Sequence, residues 1–553
     1  MIRRLIYKAF SLLASDEIKA LDRATQDPGV AQERKLAEIL ASNAQTAYGR
    51  EMDFSHITDA KAFREQVPIN DYDRLLPWIE RMLGGEQNVL TAQEPFMYAT
   101  TSGTIGFQKF IPVNQGYIKE FRHASVASGY FMLQKYPGIA DGITLTVFSP
   151  AEEGTTAGGV PYGAISGGLY LREPLLVKKF IAPIPYASYL IRDYESKYYA
   201  LLRLALMLPV TCVYTLNPST ITILVKRLHK YAERLIKDIA DGTVTPPAPL
   251  DSETLKAMAP FTAANKQRAR YLSALLEAGE FQPHKIWTDL QVVCCWTGAA
   301  AAFYLTDFSE YFGNTPICDI SYGASEGRGS ISLGDGRQLL SLRSHFFEFI
   351  PEAQIDSASP EVLLAHEIEP GQNYYILFTT SAGLYRYHIN DVVQVKGHYH
   401  RAPLIEFQYK GGNVCSFTGE KLTELHVTTA MSQTLALHRW RCRYFTLLPV
   451  FRPSPHYQLL FEPEEISGDL PMPEFQGQLA AAFDQALCQT NSEYAAKRES
   501  QRLGAVAVAI IRCGAYDELR RKTSAAGAAD AQFKPSHLNP KAEVRQFFED
   551  NCC

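Results

Sequence analysis

The spacing of apolar residues is the first guide to the fold of this chain. Over several long windows they recur every three or four positions, as at Leu36, Ile39 and Leu40, which is the period of a helix with one buried face. Asn217 and Pro218 add a helix-start signal to one of these windows. The pattern predicts helices at 1–48, 59–84, 116–134, 217–241 and 264–278.

Short apolar runs, many of them alternating with polar residues, lie between and after these helices and predict strands. They occur at 143–148, 210–216, 290–296, 317–321, 330–333, 346–350, 374–379, 392–396 and 404–409. Helices and strands in this mixed order predict an α/β fold, with mixed β-sheets layered with helices and an added antiparallel, β-barrel-like part. For the glycine-rich stretch 154–168 we expect a mobile surface loop, with a phosphate cradle as the alternative.

The pattern changes near the pair Gly411-Gly412, which can form a hairpin turn or a hinge because glycine tolerates large changes of φ and ψ. Beyond this pair the sequence predicts helices at 421–437, 474–490 and 541–549, and strands at 442–450, 457–461 and 505–511. We therefore predict a large N-terminal domain, 1–410, and a small, mobile α+β lid domain, 411–553.

Composition places the chain among ordinary globular proteins. Its 553 residues are 46% hydrophobic and 20% charged, which excludes disorder, collagen and coiled coil as descriptions of the whole chain. With 54 basic against 59 acidic residues the formal charge is −5, so a dedicated nucleic-acid or anionic-membrane binder is disfavoured. No uncharged apolar run reaches the length of a membrane span, and residues 1–15 favour an amphipathic helix over a signal peptide.

The ten cysteines indicate a reducing environment. They form neither a disulfide framework nor a C-x-x-C pair, so zinc-ribbon and thioredoxin interpretations fail. Cys294-Cys295 lies in an apolar run typical of a core, and Cys552-Cys553 has the character of a reduced tail. We therefore expect a cytoplasmic protein.

The strongest local signal is the hydroxyl-rich segment 100–109, which reads TTSGTIGFQK. Its two glycines let the backbone approach a ligand closely, its hydroxyls and free N–H groups form an anion-binding nest, and Lys109 adds positive charge. The segment is not a Walker A loop, because G-x-x-x-x-G-K-[ST] is absent. The alternative is a Ser/Thr-rich turn before a strand.

A second signal, DISYGASEG at 319–327, has three interpretations. G-x-S-x-G around Ser325 is the nucleophile elbow of a serine hydrolase, but the glycines and the strand-like SISL that follow argue against the required helix. In the second interpretation, Tyr322 offers a flat face to a base and Glu326 is a hard oxygen ligand suited to Mg²⁺. The third is a plain structural turn.

A third signal is GLYRYHIND at 383–391. A carboxylate after a strand, here Asp391, can accept hydrogen bonds from both hydroxyls of a ribose. Taken alone, a turn aspartate before the next strand is favoured. Three nearby histidines, His388, His398 and His400, invite a metal interpretation, but they form no convincing ligand set and are expected to be surface or core residues.

Taken together, these motifs resemble the adenylate-forming superfamily of firefly luciferases and acyl-CoA ligases. The segment 101–109 resembles its S-[ST]-G-[ST]-T-G-x-P-K loop in spacing, with Ile105 and Gln108 as departures. The segment 296–299 resembles its adenine-contacting G-G-A, and 322–326 resembles its Y-G-x-T-E. Asp391 takes the place of the ribose-binding aspartate.

Within that superfamily the chain is most similar to the Gretchen Hagen 3 acyl-acid-amido synthetases, the auxin–amino acid conjugating enzymes and their bacterial relatives, from about residue 30 onward. The segment 407–424 resembles that family's crossover into the C-terminal domain, and 532–535 resembles its late Gln-Tyr-Lys-x-Pro-Arg segment. Two departures are Asn390, where glycine is usual, and Ser536, where arginine is expected.

The resemblance implies an enzyme that uses ATP and Mg²⁺ to convert a carboxylic acid into an acyl-adenylate with release of pyrophosphate. An amine, expected to be that of an amino acid, then takes the acyl group and AMP is released. Glu326 is implied as catalytic metal ligand. The implied ATP and AMP contacts are Thr101, Ser102, Gly103, Thr104, Gly298, Ala299, Tyr322, Gly323, Ala324, Ser325, Asp391 and Phe407.

The resemblance also implies a catalytic lysine in the C-terminal domain, which could reach the α-phosphate when that domain closes about 408–413. Lys421 and Lys534 are the candidates. For the acyl pocket, the helix 116–134 offers Arg122 and His123.

Three other functions remain open at the level of sequence. One is a ligase that passes the acyl group to coenzyme A or to a carrier-protein thiol. The others are a serine hydrolase built on Ser325 and a nucleotide-binding protein without catalysis.

Overall fold

The computed structural model describes most of the chain. The described residues are 2–101, 109–298, 305, 307–411, 415, 420, 422–450, 455–464, 472–500, 502–525, 536–539 and 548. The helices are α1 (Ile2–Gln26), α2 (Pro28–Asn43), α3 (Ala47–Glu51), α4 (Ala60–Gln66), α5 (Tyr72–Leu83), α6 (Gln115–Lys135), α7 (Ile165–Leu171), α8 (Leu175–Phe180), α9 (Tyr194–Ala205), α10 (Pro218–Lys230), α11 (Ala232–Asp241), α12 (Ser252–Met258), α13 (Lys266–Glu277), α14 (Pro283–Ile286), α15 (Phe308–Phe312), α16 (Glu424–His438), α17 (Met472–Thr490), α18 (Ser492–Glu499) and α19 (Ala515–Ala525).

The strands alternate with these helices. They are β1 (Met97–Thr101), β2 (Lys109–Val113), β3 (Ile143–Val147), β4 (Gly154–Thr155), β5 (Pro161–Gly163), β6 (Val210–Thr215), β7 (Val292–Cys295), β8 (Ile317–Asp319), β9 (Ser330–Ser332), β10 (Gln338–Leu340), β11 (Phe346–Pro351), β12 (Leu363–Leu364), β13 (Asn373–Thr379), β14 (Tyr387–Tyr399), β15 (Ala402–Lys410), β16 (Cys442–Val450), β17 (His456–Pro463) and β18 (Ala507–Ile510). The α/β prediction with an added antiparallel part is confirmed.

Local capping explains where the predicted helices are divided. The predicted window 1–48 is divided among α1, α2 and the start of α3. The break between α1 and α2 lies at Asp27, which caps α2 by accepting a hydrogen bond from the N–H of Val30, with Pro28 in the first turn. The helix α9 is not predicted by the sequence pattern. All of its residues from Ser196 to Ala205 are buried, and a helix that is buried all round has no amphipathic period.

A parallel sheet in the order β3-β6-β7-β8 forms one layer of the large N-terminal part. All four residues of β7 are buried, as expected of a parallel strand covered on both faces. Since the strands are parallel, their carboxyl ends meet at one edge. Ligands of open α/β sheets bind in the crevice beyond that edge.

A second sheet, in the order β2-β1-β5-β4, includes much of the glycine-rich stretch 154–168. The prediction of a mobile surface loop is wrong for the greater part of this stretch, which forms β4, β5 and α7. Two of its glycines allow close packing, because a Cβ at Gly163 would lie 2.3 Å from the carbonyl oxygen of Ala151 and one at Gly167 would lie 2.5 Å from that of Ser149.

A seven-stranded antiparallel sheet, β12-β11-β13-β14-β15-β10-β9, is the part expected to be barrel-like. Its register shifts at three places along β14, and such bulges bend a sheet and re-aim side chains. The order runs from β12 to β9 without closure among the described strands. Its inner face shares one hydrophobic core with the N-terminal helices.

The C-terminal part has its own sheet, β16-β17-β18, and a separate buried cluster that draws on residues from Cys415 to Leu538. It also contacts the larger part: Lys226 pairs with Glu464, and the Arg520 guanidinium lies 4.9 Å from the ring centre of Tyr194. The predicted helix 541–549 lies outside the described residues, Phe548 excepted. The division at residue 410 and the mobility of the lid stay predictions.

Across the part of the chain that the structure describes, no helix combines the length and the apolar character needed to cross a lipid bilayer.

Candidate active site

Asp319, at the end of β8, joins the segments that follow β7 and β8. Its Oδ2 accepts hydrogen bonds from the N–H of Thr297, at 2.9 Å, and from the hydroxyl of the same residue. Its Oδ1 accepts a hydrogen bond from the N–H of Ser321 at 2.8 Å. Gly298 follows directly, and a Cβ there would lie 2.9 Å from Nε1 of Trp296. The carboxyl edge of the sheet is therefore closed on one side by a tightly packed glycine segment.

A tight turn after β8 carries Glu326. Gly323 and Arg328 pair across the turn as an antiparallel bridge, and the chain then enters β9. The hydroxyl of Tyr117, in α6, donates to the carbonyl oxygen of Ser325 at 2.8 Å. These contacts hold Glu326 inside the protein, where it is 7% exposed.

Asp391 lies in β14 at one of the bulges. The register with β13 shifts between Tyr375 and Leu377, opposite this segment. Asn390 adopts a φ of 66°, a left-handed conformation that asparagine tolerates better than most residues, so this departure from glycine keeps the required backbone. On the other side, Asp391 pairs with Lys410 of β15, whose ammonium lies 3.1 Å from Oδ1 of Asp391.

Tyr322 connects this carboxylate to an aromatic cluster. Its hydroxyl donates to Oδ2 of Asp391 at 2.7 Å. Its ring stacks on Phe407 with centroids 5.4 Å apart, and Phe407 meets Trp296 edge-on at 5.2 Å. Because Tyr322 is buried and Phe407 covers it, the half-buried ring of Phe407 is the aromatic face nearer to solvent. The structure thus does not present Tyr322 itself as an open platform for a base.

Two lysines compensate the buried carboxylates. Burial raises the pKa of Glu326, the positive charges of Lys410 and Lys109 lower it in part, and Asp391 raises it further. For Lys410, desolvation lowers the pKa, but Asp391 and Glu326 outweigh this and the net pKa is raised. Its side chain is 51% exposed, and its ammonium lies 3.1 Å from Oδ1 of Asp391. Glu326 and Asp391 thus act on one another and share one cation.

The residues that flank the hydroxyl-rich loop are described, but most of the loop is not. Thr101 pairs with Lys109 across β1 and β2. The hydroxyl of Thr100 donates to Glu153 at 3.2 Å, and burial raises the pKa of Glu153 to about 7. Ser102, Gly103, Thr104, Ala299, Lys421 and Lys534 were predicted to act here and lie outside the described residues.

The serine hydrolase interpretation of Ser325 lacks its structural context. A histidine–carboxylate pair, His345 with Glu120, is buried nearby. However, Nε2 of His345 accepts a hydrogen bond from the N–H of Arg328 at 3.0 Å, so it is not free to serve as a base. The turn also continues into a strand instead of a helix.

A cavity of about 100 Å³ lies between α6, the strands β6, β7, β8 and β9, and the segment that follows β8. Its lining includes Ser128, Met132, Tyr214, Cys294 and Arg328. The two residues predicted for the acyl pocket are placed elsewhere: Arg122 is exposed, and Nδ1 of His123 lies 2.8 Å from the Glu17 carboxylate in α1. His123 lies off the face of α6 that carries the cavity-lining positions, whereas Arg122, which is in line with Gly129, precedes the lining stretch 124–132 and is exposed.

Two site residues are missed by the sequence analysis. Lys410 directly follows the predicted strand 404–409 and precedes the Gly-Gly pair, but its pairing with Asp391 depends on strand register. Arg328 stands two positions after Glu326, just beyond the motif 319–327. A basic residue so close to a predicted metal ligand is the signal in the sequence that indicates it.

Comparisons with known proteins agree with this architecture. A model of the GH3 family N-terminal domain matches residues 17–317, the GH3 family central domain matches 338–410, and the GH3 family C-terminal domain matches 425–543. The chain belongs to the GH3 family.

Its similar relatives match over nearly their whole length. Indole-3-acetic acid-amido synthetase GH3.4 of Arabidopsis thaliana is 24% identical over 94% of this chain and 91% of that protein. Jasmonoyl--L-amino acid synthetase JAR6 of Nicotiana attenuata is 25% identical over 95% of this chain and 93% of that protein. Among solved structures, the AtGH3.15 acyl acid amido synthetase in complex with 2,4-DB superposes with a TM-score of 0.84 at 20% identity, covering 98% of this chain and 96% of that one, which shows the shared fold.

Proposed function

We propose that this protein is an ATP-dependent acyl-acid-amido synthetase, which activates a carboxylic acid as an acyl-adenylate and transfers the acyl group to an amine. The observation that carries the proposal is the cluster of Glu326, Asp391, Tyr322 and Lys410 at the carboxyl edge of the parallel sheet. Membership of the GH3 family and the names of the relatives support the same reaction.

In the proposed complex the nucleotide lies along this edge. The adenine contacts Gly298 and the half-buried face of Phe407, and the opposite face of Phe407 stacks on Tyr322. The turn 323–325 borders the edge of the adenine. The ribose hydroxyls bind Asp391, which Tyr322 and Lys410 hold in place. The phosphates bind the loop that begins at Thr101, through Ser102, Gly103 and Thr104 as the resemblance implies.

Glu326 fits a magnesium ion. It is a buried oxygen donor whose pKa is raised, and a divalent cation favours the ionised form. Among the described residues no cluster of three or more ligating side chains exists, which agrees with the preference of Mg²⁺ for one or two carboxylates plus substrate phosphates. When bound, the ion would neutralise phosphate charge.

The proposed reaction has two steps. First, a carboxylate oxygen of the acid attacks the α-phosphorus of ATP, an acyl–phosphate bond forms and the bond to pyrophosphate breaks. Second, the nitrogen of an amine, which we take to be that of an amino acid, attacks the acyl carbon and loses a proton while AMP leaves. Both steps depend on positioning and charge neutralisation and need no protein nucleophile.

We further propose that the C-terminal part rotates about 408–413 and brings a lysine to the α-phosphate. Lys421→Met and Lys534→Met separate the two candidates. The acting lysine is expected to lose about 10²-fold in acid-dependent ATP–pyrophosphate exchange on replacement, since it supplies charge to the transition state, while the other variant keeps its rate. Equal rates in both variants and the wild type would contradict the lid mechanism.

The function is tested by pyrophosphate release with ATP, Mg²⁺ and a library of aryl and fatty acids, with and without the twenty amino acids. The expected result is acid-dependent pyrophosphate release and an amide product that requires an amino acid. A thioester formed only with coenzyme A, or tight ATP binding without release for any acid, would replace the proposal by one of its alternatives. The expected cytoplasmic location stays a prediction.

Tyr322→Phe tests the ribose site. It removes the hydroxyl that donates to Asp391 at 2.7 Å and keeps the stacking on Phe407. A hydrogen bond to a charged group contributes about 1.5–3 kcal/mol, so we expect KM for ATP to rise about 10-fold to 100-fold while KM for the acid stays constant. Tyr271→Phe, which removes an exposed hydroxyl bonded to the carbonyl of Lys285, is the control and should change neither. An equal rise in both KM values would point to a general loss of packing.

A further inference from the structure

The cavity beside α6 contains a cation that has no anionic partner among the residues that the structure describes. Arg328 is the basic residue of its lining, and its Nε is buried without a hydrogen-bond partner in the described part of the chain. The guanidinium lies 4.4 Å from the ring centre of Phe121, and burial raises the pKa of Tyr214 while the positive charge of the guanidinium acts to lower it. Among the described residues no carboxylate comes within ion-pair distance of it. A guanidinium has five N–H donors, and the one on Nε is buried and unused.

The other charged group of the lining is already satisfied. Asp319 accepts hydrogen bonds from Thr297, Ser321 and Gln338. It therefore serves to close the edge of the sheet and is not available to pair with Arg328 or with a ligand. An isolated, partly buried cation is unfavourable unless an anion reaches it, and an arginine fork matches the geometry of a carboxylate.

Arg328 is held in a defined place. Its N–H donates to His345, and His345 donates to the buried carboxylate of Glu120, which also pairs with Lys35 at 2.9 Å. The bridge to Gly323 closes the turn that contains Glu326. The backbone of Arg328 is thus tied to the turn that carries the proposed metal ligand, while its side chain enters the cavity.

The cavity extends away from this arginine along α6. Its lining follows one face of α6 from Ala124 to Met132, which is about 12 Å at a rise of 1.5 Å per residue. Phe121, whose ring the guanidinium contacts, lies just before this stretch of the helix. The far end, near Met132 and Cys294, belongs to an apolar cluster. A volume of about 100 Å³ is smaller than the roughly 150 Å³ of a known cavity that holds benzene. The space favours a slim apolar body over a fused bicyclic ring.

We propose that Arg328 binds the reacting carboxylate of the acyl substrate, and that this substrate is a small monocarboxylic acid whose body is a single ring or a short alkyl chain. This inference rests on the proposed function and names the substrate class of the same site. Arg328 orients the carboxylate at the end of the cavity next to the turn of Glu326, and the apolar end selects the size of the acid.

The test measures binding without turnover. Benzoate, butanoate and indole-3-acetate are titrated calorimetrically into the full chain with Mg²⁺ and α,β-methylene-ATP, whose α–β bridge is not cleaved. We expect benzoate or butanoate to bind at least tenfold tighter than indole-3-acetate. Arg328→Met should weaken binding of the preferred acid about 10-fold to 100-fold, as expected for loss of a charged hydrogen bond, and leave affinity for the nucleotide analogue unchanged. Arg337→Met, an exposed arginine paired with Asp335, is the matched control.

A second measurement does not depend on folding of the variant. Benzamide carries no charge, so the wild type should bind it at least tenfold more weakly than benzoate. Unchanged acid binding in Arg328→Met, equal affinity for benzoate and benzamide, preference for indole-3-acetate, or no binding of any acid would overturn the inference. Failure of the proposed function has a different signature: acids that bind through Arg328 without pyrophosphate release in the turnover assay.

Discussion

Replacing Glu326 with glutamine is expected to lower acid-dependent ATP–pyrophosphate exchange by about 10³-fold, the loss typical of a group that stabilises transition-state charge. The side chain is 7% exposed and lies in a turn that bonds to α6 through Ser325. Glutamine has nearly the same shape, so the turn should remain intact. The rate of exchange of labelled pyrophosphate into ATP, with the acid found in the screen, measures the effect.

The same substitution is expected to leave stability unchanged or to raise it, which separates a functional from a structural role. Burial raises the pKa of Glu326 above its ordinary value of 4.5, so the native state binds the proton more tightly than the unfolded state. Stability from this group is therefore complete at low pH and is lost as the pH rises from 4.5 through the native pKa. At a pH above the native pKa, the buried carboxylate of Glu326 lowers the free energy of unfolding, and the neutral glutamine side chain does not.

Thermal unfolding of the protein without nucleotide checks this sign. Glu326→Gln should melt at the same or a higher temperature than the wild type in alkaline buffer, and the difference should vanish in acid. Added Mg²⁺ and ATP should raise the melting temperature of the wild type more than that of Glu326→Gln. Glu406→Gln, at an exposed carboxylate of β15, is the control and should change neither exchange nor melting. Retained exchange would remove Glu326 from the mechanism.

Arg386→Met is expected to cause the largest loss of stability, about 3–5 kcal/mol, because it breaks a buried ion pair from one side. Arg386 is 4% exposed, and its Nε lies 3.0 Å from Glu348 in β11. Its guanidinium also donates to the carbonyl oxygens of Arg64, at 3.1 Å, and Val67, at 2.7 Å. It thereby ties the end of α4 to the seven-stranded sheet just before β14, which carries Asp391.

Arg64→Met is the matched comparison, since Arg64 bonds the other oxygen of Glu348 at 3.2 Å but is 26% exposed. Removing the Arg64 guanidinium should lower the free energy of unfolding by about 1 kcal/mol or less, as expected for a partly solvated ion pair. Urea unfolding followed by tryptophan fluorescence gives the change in the free energy of unfolding for both variants, measured as a shift in the midpoint of the first transition. Equal shifts for the two variants would show that burial of Arg386 does not decide the energy.

Helices and strands of this protein could be predicted where their pattern is local. The helix 116–134 appears as Gln115–Lys135 because its buried face produces a helical period, and the strand 210–216 appears as Val210–Thr215 because it is a short run of apolar and β-branched residues. The helix α9 could not be predicted in this way, because burial on all sides removes the period. The stretch 154–168 has the glycine content of a loop, but Gly163 and Gly167 permit close packing instead.

The candidate site was predicted in its parts and not in its arrangement. Tyr322 contacts both Asp391, through a hydrogen bond, and Phe407, through ring stacking. The negative charge of Asp391 raises the pKa of Glu326, so these two carboxylates also interact. The choice of Arg122 and His123 for the acyl pocket rested on residue type within a helix. Which side chains enter a cavity depends on how that helix is rotated about its axis relative to the sheet. This rotation is set by tertiary packing and cannot be derived from the sequence.

By itself the sequence determined the α/β class, the helices and strands with a regular local pattern, the family and the short motifs, because each depends on residues close together in the chain. Only the tertiary structure decided that Lys410 stands opposite Asp391, that Phe407 covers Tyr322 and that Arg328 enters the cavity. These contacts join residues that are distant in sequence, and a shift of one position in a strand or one bulge would send the same side chains to other faces.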